Sequence, residues 1–252
     1  MKKIIFACDM DNTLIHSHKK KLENDICVEY LDGNEQSYIS PYTQELLNKL
    51  KSRSDILLLP VTTRSMAQYK RIMWHDGTTP QLALTCNGSI LLNNGEPDKD
   101  WLDCTYRMNE PYKEELKHLC EKYKSYECFK TVRIVDEMFL FVYCYNRDEM
   151  QDIAAKCAED TSLSIEYSGN KMYFFPPYAN KGFSLNRFRE IYGADKVIAA
   201  GDSMIDCSML DIADTALVPD NEMASLLKGE NYKICEENKL FSEFILEYVL
   251  NL

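Results

Sequence analysis

This sequence lacks long apolar runs and has fewer basic residues than acidic ones, 29 against 40. No stretch approaches the roughly 18 consecutive apolar residues that a membrane-spanning helix requires. Residues 1–3 are followed by a short apolar run that Asp9 interrupts, so the sequence predicts no secretory signal and favours a cytoplasmic protein. The net charge of −11 argues against a nucleic-acid partner, which would require a basic surface. The basic cluster at 18–21 is typical of a solvated loop, and we expect neither a nucleic-acid nor a membrane partner.

Cysteine pairs spaced for metal binding are also absent. The ten cysteines are scattered without any Cys-x-x-Cys, and several, such as Cys8 and Cys144, fall within apolar segments. We interpret them as reduced, buried side chains and not as zinc ligands or disulfides. The sequence has no internal repeat or low-complexity tract. With 252 residues, 45% of them hydrophobic and 27% charged, it predicts a soluble globular protein of one large or two modest domains.

The first predicted strand ends in two aspartates. Ile4 to Ala7 form an uninterrupted apolar run, typical of a strand covered on both faces in a parallel sheet. Asp9 and Asp11 follow, and in such sheets the ligand crevice lies beyond the carboxyl ends of the strands. Their spacing puts both carboxylates on one side if the chain stays extended. A bound cation is one way to keep two like charges together; solvated turn residues are the other interpretation.

A β-hairpin is predicted over these carboxylates. The segment from Ile26 to Ile39 contains an Asp32-Gly33 turn between two short apolar stretches, so it is expected to act as a flap. His16 and His18 lie at its base. An H-x-H pair can bind a metal ion, and two exposed loop histidines are the alternative.

Strand and helix patterns then alternate. Ser40-Pro41 is an N-cap followed by a first-turn proline, and leucines at helical spacing follow it. Further helices are predicted at about 66–75 and from Lys181, and further strands at 55–64, 82–86, 196–202, 215–219 and 232–235, before a last helix from about Phe241. This alternation predicts an α/β fold with a doubly wound, parallel, Rossmann-like core sheet.

The pattern changes between residues 89 and 177. Strands within 131–145 and around Gly169 alternate apolar with polar residues, as in an antiparallel sheet with one solvated face. Helices are predicted at about 110–123 and 148–158. We therefore predict an inserted α+β cap at 89–177 between two parts of the core, 1–88 (with the flap at about 16–40) and 178–252.

The predicted strand ends collect carboxylates, a hydroxyl and a lysine, which are the groups needed to hold a hard cation and a phosphate. DMDNT at 9–13 resembles the D-x-D-x-T signature of the haloacid dehalogenase superfamily. VTTR at 61–64, NKG at 180–182 and GDSMID at 201–206 resemble the other three motifs of that superfamily, in the correct order. The insert between the second and third motifs resembles the type IIB cap subgroup, which includes Cof-like and sucrose-phosphate-phosphatase-like enzymes.

The resemblance implies a magnesium-dependent phosphatase that hydrolyses a small phosphorylated metabolite, with sugar phosphates among the candidates, through an aspartyl-phosphate. Asp9 is then the nucleophile, and Asp11 is the acid/base that protonates the leaving oxygen and later activates water. The other implied roles are phosphate binding by Thr62 and Lys181, magnesium binding by Asp9, Asp202 and the backbone carbonyl of Asp11, and support by Thr63, Arg64, Asn87 and Asp206.

Several points stay open. Thr63 stands where many relatives have glycine, which leaves the choice between Thr62 and Thr63 as the phosphate contact undecided. A phosphomutase or other phosphotransferase, and a binding module that holds phosphate without turnover, are alternative functions; the retained Asp11 favours turnover. The sequence predicts neither the substrate nor the oligomeric state. The candidate specificity residues of the cap are Arg133, Asp136, Glu137, Tyr167, Lys171, Tyr173 and Phe175.

Overall fold

The structure, a computed structural model, describes residues 3–252. Residues 1 and 2, which begin the predicted first core segment, lie outside the described part. The strands are β1 (Ile4–Cys8), β2 (His16–Ser17), β3 (Ile26–Leu31), β4 (Asn34–Ile39), β5 (Ile56–Pro60), β6 (Leu82–Thr85), β7 (Ile90–Asn93), β8 (Glu96–Pro97), β9 (Phe129–Val135), β10 (Phe139–Cys144), β11 (Ser164–Ser168), β12 (Lys171–Phe175), β13 (Lys196–Ala200), β14 (Thr215–Val218) and β15 (Tyr232–Ile234). The α-helices are α1 (Pro41–Lys51), α2 (Met66–Lys70), α3 (Lys99–Asn109), α4 (Lys113–Tyr123), α5 (Met150–Ala158), α6 (Lys181–Tyr192), α7 (Cys207–Leu210), α8 (Asn221–Ser225) and α9 (Phe241–Leu250).

Five strands form a parallel sheet in the order β15-β14-β13-β1-β5. The central strand β1 pairs with β13 on one side and β5 on the other, so that Phe6 lies opposite both Ile198 and Leu58. The chain passes from β1 to β5 and later returns to β13, so the strand order reverses at β1. A ligand crevice is expected at such a reversal, beyond the carboxyl end of the strand. The predicted α/β fold with a parallel Rossmann-like core sheet is confirmed.

Both faces of this sheet are covered. Phe6 and Cys8 lie in one buried apolar cluster, with residues of α1 and α9. Ile5 and Ala7 lie in a second cluster on the opposite face, with residues of α6. Burial on both faces explains why β1 is an uninterrupted apolar run and not an alternating one.

The strand predicted at 82–86 lies beside the core sheet and not within it. Val61 forms a single parallel bridge with Leu84, whereas β6 otherwise pairs antiparallel with β7, to which β8 is added. The reason is the turn after β6, where Cys86 and Asn87 adopt positive φ angles of 53° and 58° and send the chain back along β6. β7, which lies at the start of the predicted insert, is therefore hydrogen-bonded to a strand of the first core segment.

A four-stranded antiparallel sheet, in the order β11-β12-β10-β9, lies within the predicted insert. One face packs on α4 and α5 through a cluster that includes Leu140, Val142 and Phe174. The other face carries Phe139 and Tyr173, which join the apolar cluster of the core. The alternation seen in the sequence thus separates a face that packs on helices from a face directed at the carboxyl ends of the core strands.

The flap hairpin has the predicted strands and turn. β3 and β4 pair antiparallel around Asp32-Gly33, where both residues have positive φ angles, and β2 pairs with β4. His16 is buried, and its Nε2 lies 2.6 Å from Asp25 Oδ2, whereas His18 is exposed. Since His16 is paired with Asp25, the two histidines do not form the H-x-H metal pair that was one interpretation of the sequence.

Two helices differ from the prediction. α2 is shorter than expected and ends at Lys70, because the Met73 amide donates to the Val28 carbonyl of the flap at 2.8 Å instead of continuing the helix. α3 was not predicted: Asp98 caps it by accepting from the Trp101 amide at 2.9 Å, but Trp101 is its one large buried apolar side chain, so the helical period is weak. Within residues 3–252, no helix combines the length and apolar character needed to span a membrane.

Candidate active site

The predicted carboxylates meet at the carboxyl ends of β1 and β13. Asp9 directly follows β1, and its backbone amide donates to the Ala200 carbonyl at 2.9 Å. Asp202 follows β13 and accepts a hydrogen bond from Thr13 Oγ1 at 3.3 Å. The parallel register therefore brings the first and last sequence motifs side by side.

Lys181 links Asp9 to Asp206. Its Nζ lies 2.5 Å from Asp9 Oδ1 and 2.6 Å from Asp206 Oδ1, and the side chain is only 1% exposed. Burial lowers the pKa of Lys181, but the carboxylates of Asp206 and Asp9 outweigh it, so the pKa is raised and the amine stays protonated. Burial also raises the pKa of Asp9, and Lys181 opposes that rise. The ammonium group therefore favours the ionised form of Asp9.

Asp206 is fully occupied by protein donors. Its Oδ1 accepts from Lys181, and its Oδ2 accepts from the amides of Asp202 and Ser203 at 3.1 and 3.0 Å and from Ser203 Oγ at 3.0 Å. The side chain is fully buried. Asp206 thus holds both the lysine and the loop that carries Asp202.

Two glycines allow this close packing. A Cβ atom at Gly182 would lie 2.1 Å from the carbonyl oxygen of Ser208, and one at Gly201 would lie 2.4 Å from the Cβ of Asp206. Neither distance is possible between non-bonded atoms, so both positions require glycine. Gly182 in the third motif therefore lets the start of α6 approach α7, and Gly201 in the fourth motif lets the segment after β13 fold closely against Asp206.

Three carboxylates are close enough to share a cation. One oxygen from each of Asp9, Asp202 and Asp206 lies within 4.8 Å of the other two. Because Asp206 is occupied by protein donors, Asp9 and Asp202 have the available oxygens; the Asp11 carboxylate is not in this group. Burial, and then Asp206, raise the pKa of Asp202 to about 7. Two carboxylates with available oxygens are hard donors that fit a divalent cation.

Asp11 is bound by Arg64. Arg64 Nε lies 2.8 Å from Asp11 Oδ2 and Nη2 lies 2.7 Å from Asp11 Oδ1, a bidentate ion pair. Burial raises the pKa of Asp11, but the Arg64 hydrogen bonds and charge outweigh it and hold the pKa below its usual value. In this arrangement Asp11 is ionised, and both its oxygens are engaged.

Glu29 of the flap extends this pair into a network. Its Oε2 accepts from Arg64 Nη2 at 3.0 Å and from Ser37 Oγ at 2.7 Å, and its Oε1 accepts from Arg71 Nε at 3.2 Å and Nη2 at 3.0 Å. The Glu29 side chain is 4% exposed. Burial raises its pKa, but Arg64 and the other donors outweigh this and lower it. The flap is thus tied to the second motif through a buried, charged contact.

Two neighbouring chambers share Asp11 as a lining residue. The smaller, of about 100 Å³, contains Asp9, Lys181 and Asp202, and we call it the phosphoryl chamber. The larger, of about 480 Å³, lies between the flap, α2 and the cap sheet, and we call it the leaving-group chamber. Four residues line both: Asp11, Thr63, Lys171 and Tyr173.

The second motif presents Thr63, and not Thr62, to the chambers. Thr62 is buried and lines neither one, and its Oγ1 accepts from the Arg64 amide at 3.2 Å. Asn87 is also fully buried; its amide donates to the Thr62 carbonyl at 2.8 Å and its Nδ2 donates to the Ala179 carbonyl at 3.0 Å. Asn87 therefore joins the second motif to the segment that precedes Lys181.

The cap contributes residues to the chambers, but the sequence did not predict which of its side chains face them. Of the seven candidates, Arg133, Lys171 and Tyr173 line a chamber. Asp136 contacts the core instead, since its Oδ2 accepts from the Met66 amide at 2.8 Å. The others do not line a chamber: Glu137 lies in the same turn, Tyr167 packs beside the cap cluster and Phe175 is buried in the core cluster.

Three acidic or basic residues of the site were not found from the sequence: Glu29, Arg71 and Glu166. Glu166 lies in β11, and its Oε2 is buried without a hydrogen-bond partner among the described residues. Burial raises its pKa to about 7, with Lys181 lowering and Asp206 raising it. The available signal for Glu29 and Glu166 was a charged residue within a flap or cap strand. A charged residue that faces solvent gives the same pattern in the sequence, so the signal could not identify them as site residues.

Comparisons with known proteins bear on the family and the fold of the chain. A family model described as haloacid dehalogenase-like hydrolase matches residues 98–239. No curated protein matches the chain.

Similar folds are found among solved structures. The sucrose-phosphatase of Synechocystis, solved with sucrose and phosphate, aligns with a TM-score of 0.70 and 14% identity over 100% of this chain and 98% of its own. A protein from Thermoplasma acidophilum aligns with a TM-score of 0.67 and 13% identity, over 100% of this chain and 98% of its own. The C-terminal domain of the trehalose-6-phosphate phosphatase from C. albicans aligns with a TM-score of 0.64 and 14% identity, over 100% of this chain and 93% of its own. At these identities the likeness concerns the fold.

Proposed function

Since this chain belongs to the haloacid dehalogenase-like hydrolases, we propose that it is a magnesium-dependent phosphatase that removes the phosphoryl group of a small phosphorylated metabolite through an aspartyl-phosphate. The observation that carries this proposal is the juxtaposition of two carboxylates with different environments at the junction of two chambers. Asp9 is paired with Lys181 inside the phosphoryl chamber, and Asp11 lies between this chamber and the larger one.

The first step is an attack of Asp9 on phosphorus. One Asp9 oxygen forms a bond to the phosphorus atom, and the bond from phosphorus to the leaving oxygen breaks. Lys181 offsets the repulsion between the anionic nucleophile and the anionic substrate. Asp11 donates its proton to the leaving oxygen, which lies toward the leaving-group chamber.

The second step is hydrolysis of the aspartyl-phosphate. Asp11, now ionised, takes a proton from water, whose oxygen bonds to phosphorus while the bond to Asp9 breaks. Inorganic phosphate leaves and Asp9 is regenerated. Because Arg64 holds Asp11 ionised without substrate, Asp11 must release at least one of these hydrogen bonds and take up a proton from solvent as the substrate binds. It can then act as the acid, and the proton that it later takes from water restores the protonated form for the next turnover.

Asp9 and Asp202, with the backbone carbonyl of Asp11, would hold the magnesium ion. When bound, the ion neutralises charge that develops on the phosphoryl oxygens. Asp206 positions Lys181 and the Asp202 loop through its four hydrogen bonds. For the phosphoryl group we propose that Thr63 is the direct hydroxyl contact and that Thr62 stabilises the turn before Arg64.

The substrate fits the larger chamber through its non-phosphoryl part. A volume of about 480 Å³ is in the range of small-molecule sites, and the fold is shared with a sucrose-phosphatase and a trehalose-6-phosphate phosphatase. We therefore propose a sugar-sized phosphomonoester as the substrate. We also propose a cytoplasmic location, because the ten cysteines are free thiols, as is usual in a reducing compartment.

The test is the release of inorganic phosphate from a panel of phosphorylated metabolites, with and without magnesium. We expect release without any second substrate, loss of activity after chelation and recovery on adding magnesium, while Asp9→Asn is inactive. Turnover only in the presence of an acceptor sugar would instead assign a phosphotransferase. Full activity after chelation, or in Asp9→Asn, would contradict the proposal.

A further inference from the structure

The leaving-group chamber contains more positive than negative charge. Its two carboxylates are bound by Arg64 and Arg71, so these four charges balance one another. Arg133 and Lys171 remain. Across residues 3–252, neither cation has a carboxylate oxygen within 4.0 Å. In a protein of net charge −11, the chamber therefore holds two cations without a carboxylate in ion-pair contact. Of the two, Lys171 also lines the phosphoryl chamber, where Asp9 and Asp202 lie.

Both cations project from the same face of the cap sheet. Arg133 lies directly opposite Phe141, and its guanidinium carbon is 5.3 Å from the centre of that ring. Tyr173 lies opposite Phe141 on the other side, and Lys171 is two residues before it on the same strand. The cap wall of the chamber is thus a row of aromatic rings with a cation at each end.

Two of the side-chain acceptors on the opposite wall are already occupied. Every oxygen of Glu29 already accepts from Ser37 or an arginine, and Gln68 Oε1 accepts from the Ser65 amide at 2.9 Å. A neutral polyol offers hydroxyls that both donate and accept, but it brings no negative charge to Arg133 and Lys171. A ligand rich in acceptors and negative charge matches the free donors better.

Lys171 and Arg133 occupy different positions relative to the phosphoryl group. Lys171 lines both chambers, and its charge helps to lower the pKa of Asp11. Arg133 lines only the leaving-group chamber. The two cations lie on strands separated by β10, which puts their backbones roughly 10 Å apart across the sheet.

We propose, on the basis of the phosphatase function proposed above, that the substrate carries a second anionic group, a carboxylate or a further phosphate, in its non-phosphoryl part. Arg133 binds this second group. Lys171 lies between it and the phosphoryl group and contacts both ends of the substrate. The aromatic row of Phe141 and Tyr173 covers the carbon skeleton between the two anions.

The test compares substrates that differ only in the second charge. Gluconate 6-phosphate and glucitol 6-phosphate differ by a carboxylate at C1, and fructose 1,6-bisphosphate and fructose 6-phosphate differ by a phosphate. We expect kcat/KM to be at least about tenfold higher for the more anionic member of one pair, the scale of one charge-assisted hydrogen bond. The pair that shows the preference identifies the second group as carboxylate or phosphate.

Variants then assign the preference to Arg133. Arg133→Gln should lower kcat/KM about 10- to 100-fold for the preferred substrate, mainly through KM, and change the less anionic member less than about threefold. Arg133→Lys should restore part of the loss. The matched control is Arg147→Gln, which removes another exposed arginine of the predicted insert that lines neither chamber.

Binding to Asp9→Asn, measured by calorimetry, separates this inference from the proposed function. If no substrate releases phosphate but Asp9→Asn binds the more anionic ligand about tenfold tighter, and Arg133→Gln removes that difference, the phosphatase assignment fails and the second anion site stands. If phosphate is released at equal kcat/KM from both members of each pair, or Arg133→Gln affects both equally, the second anion site is wrong.

Discussion

At the scale of single residues, substitutions of Asp9 and Asp11 are predicted to have different kinetic effects. Asp9→Asn removes the attacking carboxylate and should abolish phosphoryl transfer. Asp11→Asn still allows attack when the leaving group is good, but the water that clears the aspartyl-phosphate loses its base. An aryl phosphate should then give a burst of phenol followed by a steady rate reduced more than about a hundredfold.

The adduct in Asp11→Asn locates the nucleophile. Mass spectrometry of rapidly quenched protein should find one phosphoryl group on Asp9, labile to hydroxylamine. Asp202 is the internal control, since it is a nearby carboxylate in the same chamber. An adduct on Asp202, or near-normal turnover by Asp9→Asn, would require another mechanism.

The two threonines of the second motif are predicted to differ as well. Thr63 lines both chambers and Thr62 lines neither, so Thr63→Val should lower kcat/KM for phosphate esters by about tenfold or more, as expected for a lost hydrogen bond to a charged group. Thr62→Val removes the acceptor of the Arg64 amide and should mainly lower the midpoint of urea unfolding. The reverse pattern in kinetics and denaturation would assign the phosphate contact to Thr62.

Magnesium affinity should depend on pH through Asp202. Burial and Asp206 raise the pKa of this carboxyl to about 7 in the metal-free protein. Below pH 7 the carboxyl holds a proton that magnesium must displace, so affinity should rise with pH, by up to about tenfold per unit, and level off above pH 7. Calorimetry between pH 5.5 and 8.5 measures this. Glu166→Gln is the control, because the pKa of Glu166 is also raised to about 7; a slope that disappears in this variant would implicate Glu166 instead.

At the scale of elements, the flap depends on a buried charge. Glu29→Gln leaves Arg64 and Arg71 without their shared carboxylate and should destabilise the protein by about 2–4 kcal/mol, near the range for broken buried ion pairs and reduced because Arg71 is partly exposed. Urea unfolding measures it. Glu35→Gln, on the same hairpin, removes an exposed pair with Lys21 and should change stability much less, because solvent screens an exposed pair. Equal effects of the two substitutions would refute a special role for Glu29.

The sequence predicted the elements whose periodicity is set locally. β1, the flap strands and α1 follow from uninterrupted apolar runs, a turn dipeptide and a cap with proline, and the structure contains all of them. The pairing of β6 with β7 was missed because it depends on positive φ angles at Cys86 and Asn87, and neither residue requires that conformation.

The motifs predicted which residues of the core would meet, because parallel strands end at one edge of the sheet. They did not predict the partners of those residues. Arg64 contacts Asp11 and Glu29, which are 53 and 35 positions away along the chain, and such pairs follow from tertiary packing and not from any local pattern. The choice of Thr63 over Thr62 likewise depends on which side of the turn faces the chamber.

At the scale of the whole molecule, we propose that the mobile cap is smaller than 89–177. β7 pairs with β6, and the Trp101 ring of α3 is covered by Arg187 of α6, whose guanidinium carbon lies 3.8 Å from the ring centre. These contacts attach the segment up to α3 to the core. A cap of about 110–177 contains the antiparallel sheet with α4 and α5, which share their own apolar cluster.

Cap closure is predicted to depend on Asp136. This residue lies in the β9–β10 turn and accepts from the Met66 amide of the core at 2.8 Å. Asp136→Gly removes that contact and should increase the open population and lower kcat/KM several-fold, because one charge-assisted hydrogen bond is lost. Fluorescence energy transfer between labels on cap and core measures the opening. Glu137→Gly is the matched control, since both residues have positive φ angles in the same turn; equal opening in the two variants would show that turn flexibility, and not the contact, is responsible.

The position of β1 between β5 and β13 has a consequence for biosynthesis. Ile4 pairs with Lys196, about 190 residues later in the chain. At roughly 5–20 residues per second, β1 leaves the ribosome some 10–40 seconds before β13 has been made. During that interval the apolar strand can pair only with β5, and its other edge is open to association with other chains. The strands of the antiparallel sheet in the insert pair with strands that are close in sequence. This sheet can therefore fold before the core sheet is complete. We therefore expect nascent chains that end before residue 196 to bind chaperones through β1.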